Sequence, residues 1–159
     1  MDDAARIAGW LVDVEQTARQ QRWDAERPWR TATHIWLEDL LPVVDLHDLG
    51  ARPARRAAEV VAARAAELEA GAVVFVTGRG RHSAGQPVLG EVVQAALAAR
   101  VAADGGSFGP RGAGRIALVV DPERAPAAAT GRLSLGVWLL VFSFAVAALW
   151  VCLGMPGAR

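Results

Sequence analysis

Residues 133–155, LSLGVWLLVFSFAVAALWVCLGM, contain no charged side chain. That run constrains the chain more than any other feature. A helix apolar on every side must lie in a bilayer or inside a large core. With 159 residues there is room for one ordinary domain and an extension, and a domain of that size can hardly enclose such a helix. About 20 apolar residues suffice to cross the hydrocarbon layer. Trp138 and Trp150 stand toward the two ends of the run, where interfacial aromatics sit. The expectation is a single-pass C-terminal membrane anchor, a transmembrane helix over residues 133–155. Arginines concentrate on its N-terminal side, which predicts a main domain facing the cytosol; Arg159 on the far side weighs a little against this. The start, MDDAARIAGW, is acidic and lacks a long apolar core, so no secretory signal is expected. Without one, a lipid-attachment signal is the weaker reading of the apolar tail.

Formal net charge is zero, so no bulk basic field announces nucleic-acid binding, and any such binding must come from a local patch. All 17 basic residues are arginine, and the chain has no Lys, Asn or Tyr. The missing residues use AT-rich codons, so coding bias accounts for much of the arginine and its count is discounted. The single cysteine, Cys152, excludes an intrachain disulfide framework and a Cys-based zinc site. The folded part is expected in a reducing compartment.

Residues 4 to about 24 read as an amphipathic helix, with Ile7, Leu11, Val14 and Ala18 at helical spacing and Trp10 flanking. Pro28 breaks it, and THIWLEDLLP reads as a short helix carrying Trp36, Leu37, Leu40 and Leu41 and stopped by Pro42. Residues 1–40 are thus an N-terminal helical extension. Its tryptophans serve either as a layer covering the main domain or as a surface for stacked bases or a protein partner.

An alternation of strand and helix patterns follows. PVVDLHDL reads as a strand. RPARRAAEVVAARAAELEAG is a helix with Pro53 in its first turn and Gly71 at its stop. AVVFVTG is a strand buried on both faces. QPVLGEVVQAALAAR is a helix with Val88, Val92, Ala95 and Ala96 as its stripe, and VAADGGSFGP and GRIALVVD are two further strands. The order β-α-β-α-β-β predicts an α/β two-layer sandwich over residues 41–121. Residues 122–132 are a small-residue linker to the anchor.

Two stretches carry candidate chemistry. In VTGRGRHSAGQPVLG a phosphate loop of the G-x-x-x-x-G-K-[ST] type is excluded, because there is no lysine. Gly78, Gly80 and Gly85 have the wrong spacing for the dinucleotide fingerprint. The setting is nonetheless strand, loop, helix, where backbone N–H groups can face an anion, and Arg79, Arg81 and His82 add positive potential. In Asp45-Leu46-His47, strand geometry would put Asp45 and His47 on one face, where a carboxylate can orient an imidazole for acid–base work. A structural Asp–His pair is the blander reading. No convincing metal-ligand set is present, although Asp45, His47 and His82 could bind one ion if brought together. No cofactor is expected.

VDLHDL, a long alanine-rich helix, VTGRGRHSAGQPVLGEVVQAAL and a closing GRIALVV together resemble the small MutS-related (Smr) domain family, over about residues 41–121. The pattern of that family is an L-D-L-H-G motif, a T-G-x-G-x-H-S motif and a closing glycine-then-apolar strand. The resemblance implies the βαβαββ fold and nucleic-acid binding, with endonuclease activity on RNA, or nicking of DNA, as the implied chemistry. It implies Asp45 and His47 as catalytic residues. Thr77, Gly78, Arg79, Gly80, Arg81, His82 and Ser83 are the implied nucleic-acid-binding loop. One position departs: the glycine after the motif histidine is Asp48 here, which adds negative charge where a phosphodiester should approach.

The expected function is a membrane-tethered endonuclease, with RNA favoured over DNA. Two alternatives stand beside it, a non-catalytic nucleic-acid-binding module and a membrane-anchored adaptor that docks a partner through the N-terminal helices.

Overall fold

A computed structural model of the chain describes residues 2–21, 28–78 and 88–126. It is a mixed α/β structure built on one five-stranded sheet. The elements run α1 (Asp3–Trp10), α2 (Val12–Gln21), α3 (Thr31–His34), β1 (Ile35–Glu38), β2 (Leu41–Asp45), α4 (Ala51–Arg64), β3 (Ala72–Val76), α5 (Val88–Asp104), β4 (Ser107–Pro110) and β5 (Arg115–Val119). Sheet order is β1-β2-β3-β5-β4, with β2 and β3 parallel and all other neighbours antiparallel.

The N-terminal pattern resolves into two helices. Asp2 caps α1 by accepting from the Ala5 N–H at 2.7 Å, and the chain bends at Leu11 before α2 begins. Ile7, Leu11, Val14 and Ala18 are buried as one stripe, as their spacing predicts. The layer is also pinned by polar contacts. Asp3, itself buried, accepts from Glu69 N at 3.1 Å and Ala70 N at 2.9 Å, and the Arg64 guanidinium lies 4.5 Å from the centre of the Trp10 ring.

The segment expected as a helix over THIWLEDLLP is instead one turn of helix followed by a strand. Asp39 (φ 52°) and Leu40 (φ 68°) form a two-residue turn with both residues left-handed, the type that joins antiparallel strands, and β1 pairs with β2 from Ile35↔Val44 to Glu38↔Leu41. Pro42, expected as a helix stop, sits inside β2, where pairing with β3 begins only at Val43. The sheet therefore gains an edge strand from the N-terminal extension.

From β2 onward the elements follow the predicted alternation with shifted boundaries. α4 has Pro53 in its first turn but ends at Arg64; Gly71 lies beyond it, with φ +62° and no room for a side chain, because a Cβ there would stand 2.6 Å from the Asp121 carbonyl oxygen. VAAD, expected to open a strand, continues α5 to Asp104. The buried face of α5 is Val93, Ala96 and Leu97. Val88 and Ala95, expected on that face, are exposed.

The main core lies between the helices and one sheet face, where Val44, Leu46, Val73, Phe75, Ile116 and Leu118 meet residues of α1, α2, α4 and α5. Leu41, Val43, Ala72, Val74, Ala117 and Val119 form the second face, against which Trp36, Ala70, Val76 and Ala125 pack. Among the described residues no helix is long and apolar enough to cross a membrane. The expected anchor, residues 133–155, lies outside the described residues.

Candidate functional site: an Asp–His pair at the ends of the parallel strands

Parallel strands β2 and β3 end side by side, Asp45 opposite Val76, so the chain leaves both strands at one edge of the sheet. Ligand sites in α/β sheets favour this carboxyl edge. Leu46 keeps the strands joined one residue further, donating its N–H to the Val76 carbonyl at 2.8 Å. The chain then turns, and Leu49 N closes on the Leu46 carbonyl at 3.0 Å.

Asp45 and His47 are neighbours, but not because they share a strand face. The strand stops at Asp45 and His47 lies in the turn. Asp45 Oδ1 accepts from the His47 backbone N–H at 3.0 Å and lies 2.6 Å from His47 Nδ1. One carboxylate oxygen therefore fixes both the turn and the imidazole. Asp45 is nearly buried, and His47 stays about half exposed at 47%.

Asp48 stands on the other side of the ring. Its Oδ1 lies 3.2 Å from His47 Nε2, and its Oδ2 lies 3.2 Å from His34 Nε2. His34, the last residue of α3, presents its ring 6.3 Å from that of His47. Two imidazoles and two carboxylates thus form one continuous cluster.

The N-terminal extension holds this cluster from behind. Trp29 is buried, and its Nε1–H donates to the Asp45 carbonyl at 2.6 Å. Its ring lies 5.6 Å from the His34 ring. Glu15 of α2 accepts from Thr31 N at 2.9 Å and Thr31 Oγ1 at 2.7 Å, which ties the first turn of α3 to the helical layer. Burial pushes the Glu15 carboxyl up, but the Thr31 hydrogen bonds and the Arg19 guanidinium outweigh it and hold the group below the ordinary glutamate value.

β3 brings Gly78 to the same place. Gly78 has φ +75°, and a Cβ added there would come 3.2 Å from the His47 Cβ, so glycine permits its close approach to the turn. Thr77 is buried and its polar groups point to the fold: N donates to the Gly114 carbonyl at 2.8 Å and Oγ1 at 3.3 Å. Arg79, Gly80, Arg81, His82 and Ser83 lie outside the described residues. Beside Thr77 and Gly78 opens a groove of about 450 Å³, lined also by Gly90, Gln94, Gly114 and Arg115. Arg115 bonds Glu38 at 2.7 Å; that bond raises the guanidinium pKa and lowers that of Glu38, and the nearby Asp45 charge adds to the rise.

Of the residues read from sequence, Asp45, His47 and Gly78 come together, while Thr77 is adjacent and structurally engaged. Trp29 and His34 were not anticipated in the site. The scarcity of histidine, three in the whole chain, was the one available signal for His34. Among the described residues no group of three or more His, Cys, Asp or Glu side chains is placed to hold a metal ion. No protein-family model, curated protein or solved structure matches the chain.

Proposed function

We propose that the chain is an Smr-like, nucleic-acid-binding endonuclease that cleaves RNA without a metal and is tethered to a membrane by residues 133–155. The observation that carries the reading is the 2.6 Å contact between Asp45 Oδ1 and His47 Nδ1, on a half-exposed histidine against which Gly78 packs. An imidazole whose Nδ1–H is held by a carboxylate presents Nε2 as the base. In RNA the ribose 2′-OH is an internal nucleophile, so His47 Nε2 removes its proton as the 2′-oxygen attacks phosphorus. Arg79 and Arg81, next in sequence after Gly78, supply positive charge for the phosphate.

The test is cleavage of end-labelled structured RNA, single-stranded RNA and duplex DNA by the full chain in detergent and EDTA, beside Asp45→Ala and His47→Ala. RNA products that vanish in both variants, with circular dichroism unchanged, are the expected result. Undiminished cleavage by His47→Ala contradicts the reading.

A second reading is favoured by one observation. Asp48 Oδ1 lies on His47 Nε2, the nitrogen that the chemistry needs. A protein in which that contact persists on nucleic acid is a tethered binding module. Salt-dependent retention of RNA with no products from the wild-type chain is its signature.

A further inference from the structure

Asp48 does more than sit beside His47, because its two oxygens reach two histidines from two different parts of the chain. Oδ1 faces His47 Nε2 and Oδ2 faces His34 Nε2, each at 3.2 Å. An oxyanion held between two imidazoles has the local chemistry of a bound phosphate. At 37% exposure the Asp48 side chain borders solvent.

The two rings are held for opposite proton duties. His47 has its shorter contact at Nδ1, 2.6 Å to Asp45. With Asp48 displaced, the neutral ring is set to keep its proton on Nδ1 and offer Nε2 as the base, whereas beside Asp48 Oδ1 a charged ring donates from both nitrogens. His34 is set the other way. Its Nδ1 lies 3.2 Å from the Arg30 N–H, which it can accept when neutral, and 3.0 Å from the Arg30 carbonyl, to which it can donate when charged. The Thr33 hydroxyl, 2.9 Å away, adapts to either state. With Nδ1 accepting from Arg30 N–H, or with the ring charged, Nε2 of His34 carries a hydrogen that faces Asp48. One base nitrogen and one acid nitrogen thus converge on a single anion position.

We infer that His34, contributed by the N-terminal extension, is the general acid that partners His47, and that the Asp48 carboxylate occupies the position of the scissile phosphate. The inference rests on the nuclease reading for its chemistry and on the geometry alone for its anion site. In the reaction the 2′-oxygen bonds to phosphorus and its proton passes to His47 Nε2. The bond from phosphorus to the 5′-oxygen breaks, and that oxygen takes the proton from the charged His34 Nε2. The products are a 2′,3′-cyclic phosphate and a free 5′-hydroxyl. Proton exchange with water restores both rings.

Two measurements on the full chain in detergent keep the inference and the nuclease reading separable. The first titrates inorganic phosphate into Asp48→Gly and follows the histidine side-chain signals by long-range ¹H–¹⁵N NMR. Signals of His34 and His47 that shift together with one saturation curve are expected, with affinity falling about tenfold on adding His34→Gln. Phosphate that moves neither ring, or only His47, overturns the inference even if the chain cleaves RNA. The second follows cleavage against pH, where Asp48 and His47 are the titratable groups that face His34 among the described residues. Wild type should give a bell-shaped profile, and His34→Gln should lose its alkaline limb while the tryptophan fluorescence of the chain remains native. A His34→Gln profile that keeps both limbs overturns the acid role. A wild-type chain that cleaves nothing but binds phosphate through both rings in Asp48→Gly removes the nuclease reading and leaves the anion site standing.

Discussion

The helical layer with its appended edge strand, residues 3–38, and the strand–helix alternation, residues 41–119, meet on one sheet but are held by different kinds of contact. The alternation is held by repetition: apolar residues on β2, β3 and β5 face apolar residues on α4 and α5. The N-terminal layer adds single polar ties to its apolar stripe. Asp3 holds the backbone before β3, Glu15 holds Thr31, Trp29 holds the Asp45 carbonyl, and His34 meets Asp48. Repetition tolerates small errors, because many contacts share the load. A single tie does not, and three of these ties converge on the site.

The largest effect is expected in the shared core. Phe75 is fully buried at the centre of the sheet, and Phe75→Ala should cost about 3–5 kcal/mol in chemical denaturation and weaken both regions together. Loss confined to the N-terminal layer would show that the two do not share one core. A smaller effect is expected from Trp29→Phe, which keeps an aromatic ring but removes the Nε1–H. It should cost about 1 kcal/mol and should perturb the signals of Asp45 and His47 while those of α5 stay in place. Unmoved His47 signals would mean that the tie does not position the turn.

The smallest effect is a pH dependence. Glu15 has a lowered folded-state pKa, so the stability it contributes is present above the ordinary value of 4.5 and is lost as pH falls through the lowered value. The stability gap between wild type and Glu15→Gln should therefore close on acidification, with amide exchange rising first around Thr31–His34. A gap constant across that range would remove Glu15 as the tie to α3.

The same distinction explains what the sequence could reveal. Periodicity made the helix stripe of Ile7, Leu11, Val14 and Ala18, the helix of α4 and the buried strand β3 legible. It misplaced β1, because four apolar residues around Asp39 fit a short helix as well as a hairpin. Only the left-handed pair Asp39–Leu40 decides; aspartate adopts that conformation more readily than most residues, but leucine gives no sign of it. In α5 an alanine-rich surface blurred the pattern and rotated the expected face by about one residue. The site was legible where spacing carried it. Asp45 and His47 lie two apart and do meet, although through a turn in place of a shared strand face. Trp29 and His34 reach the cluster through tertiary contacts, and no local pattern encodes such contacts.

The nuclease proposal requires that Asp45 hold neutral His47 with its proton on Nδ1 and its lone pair on Nε2. The most direct test is the tautomer of neutral His47, read from long-range ¹H–¹⁵N spectra of the full chain in detergent, in wild type and Asp45→Ala. The Nδ1–H form is expected in wild type, with a shift toward Nε2–H when Asp45 is removed. An Nε2–H form in wild type, or a tautomer indifferent to Asp45, would contradict it.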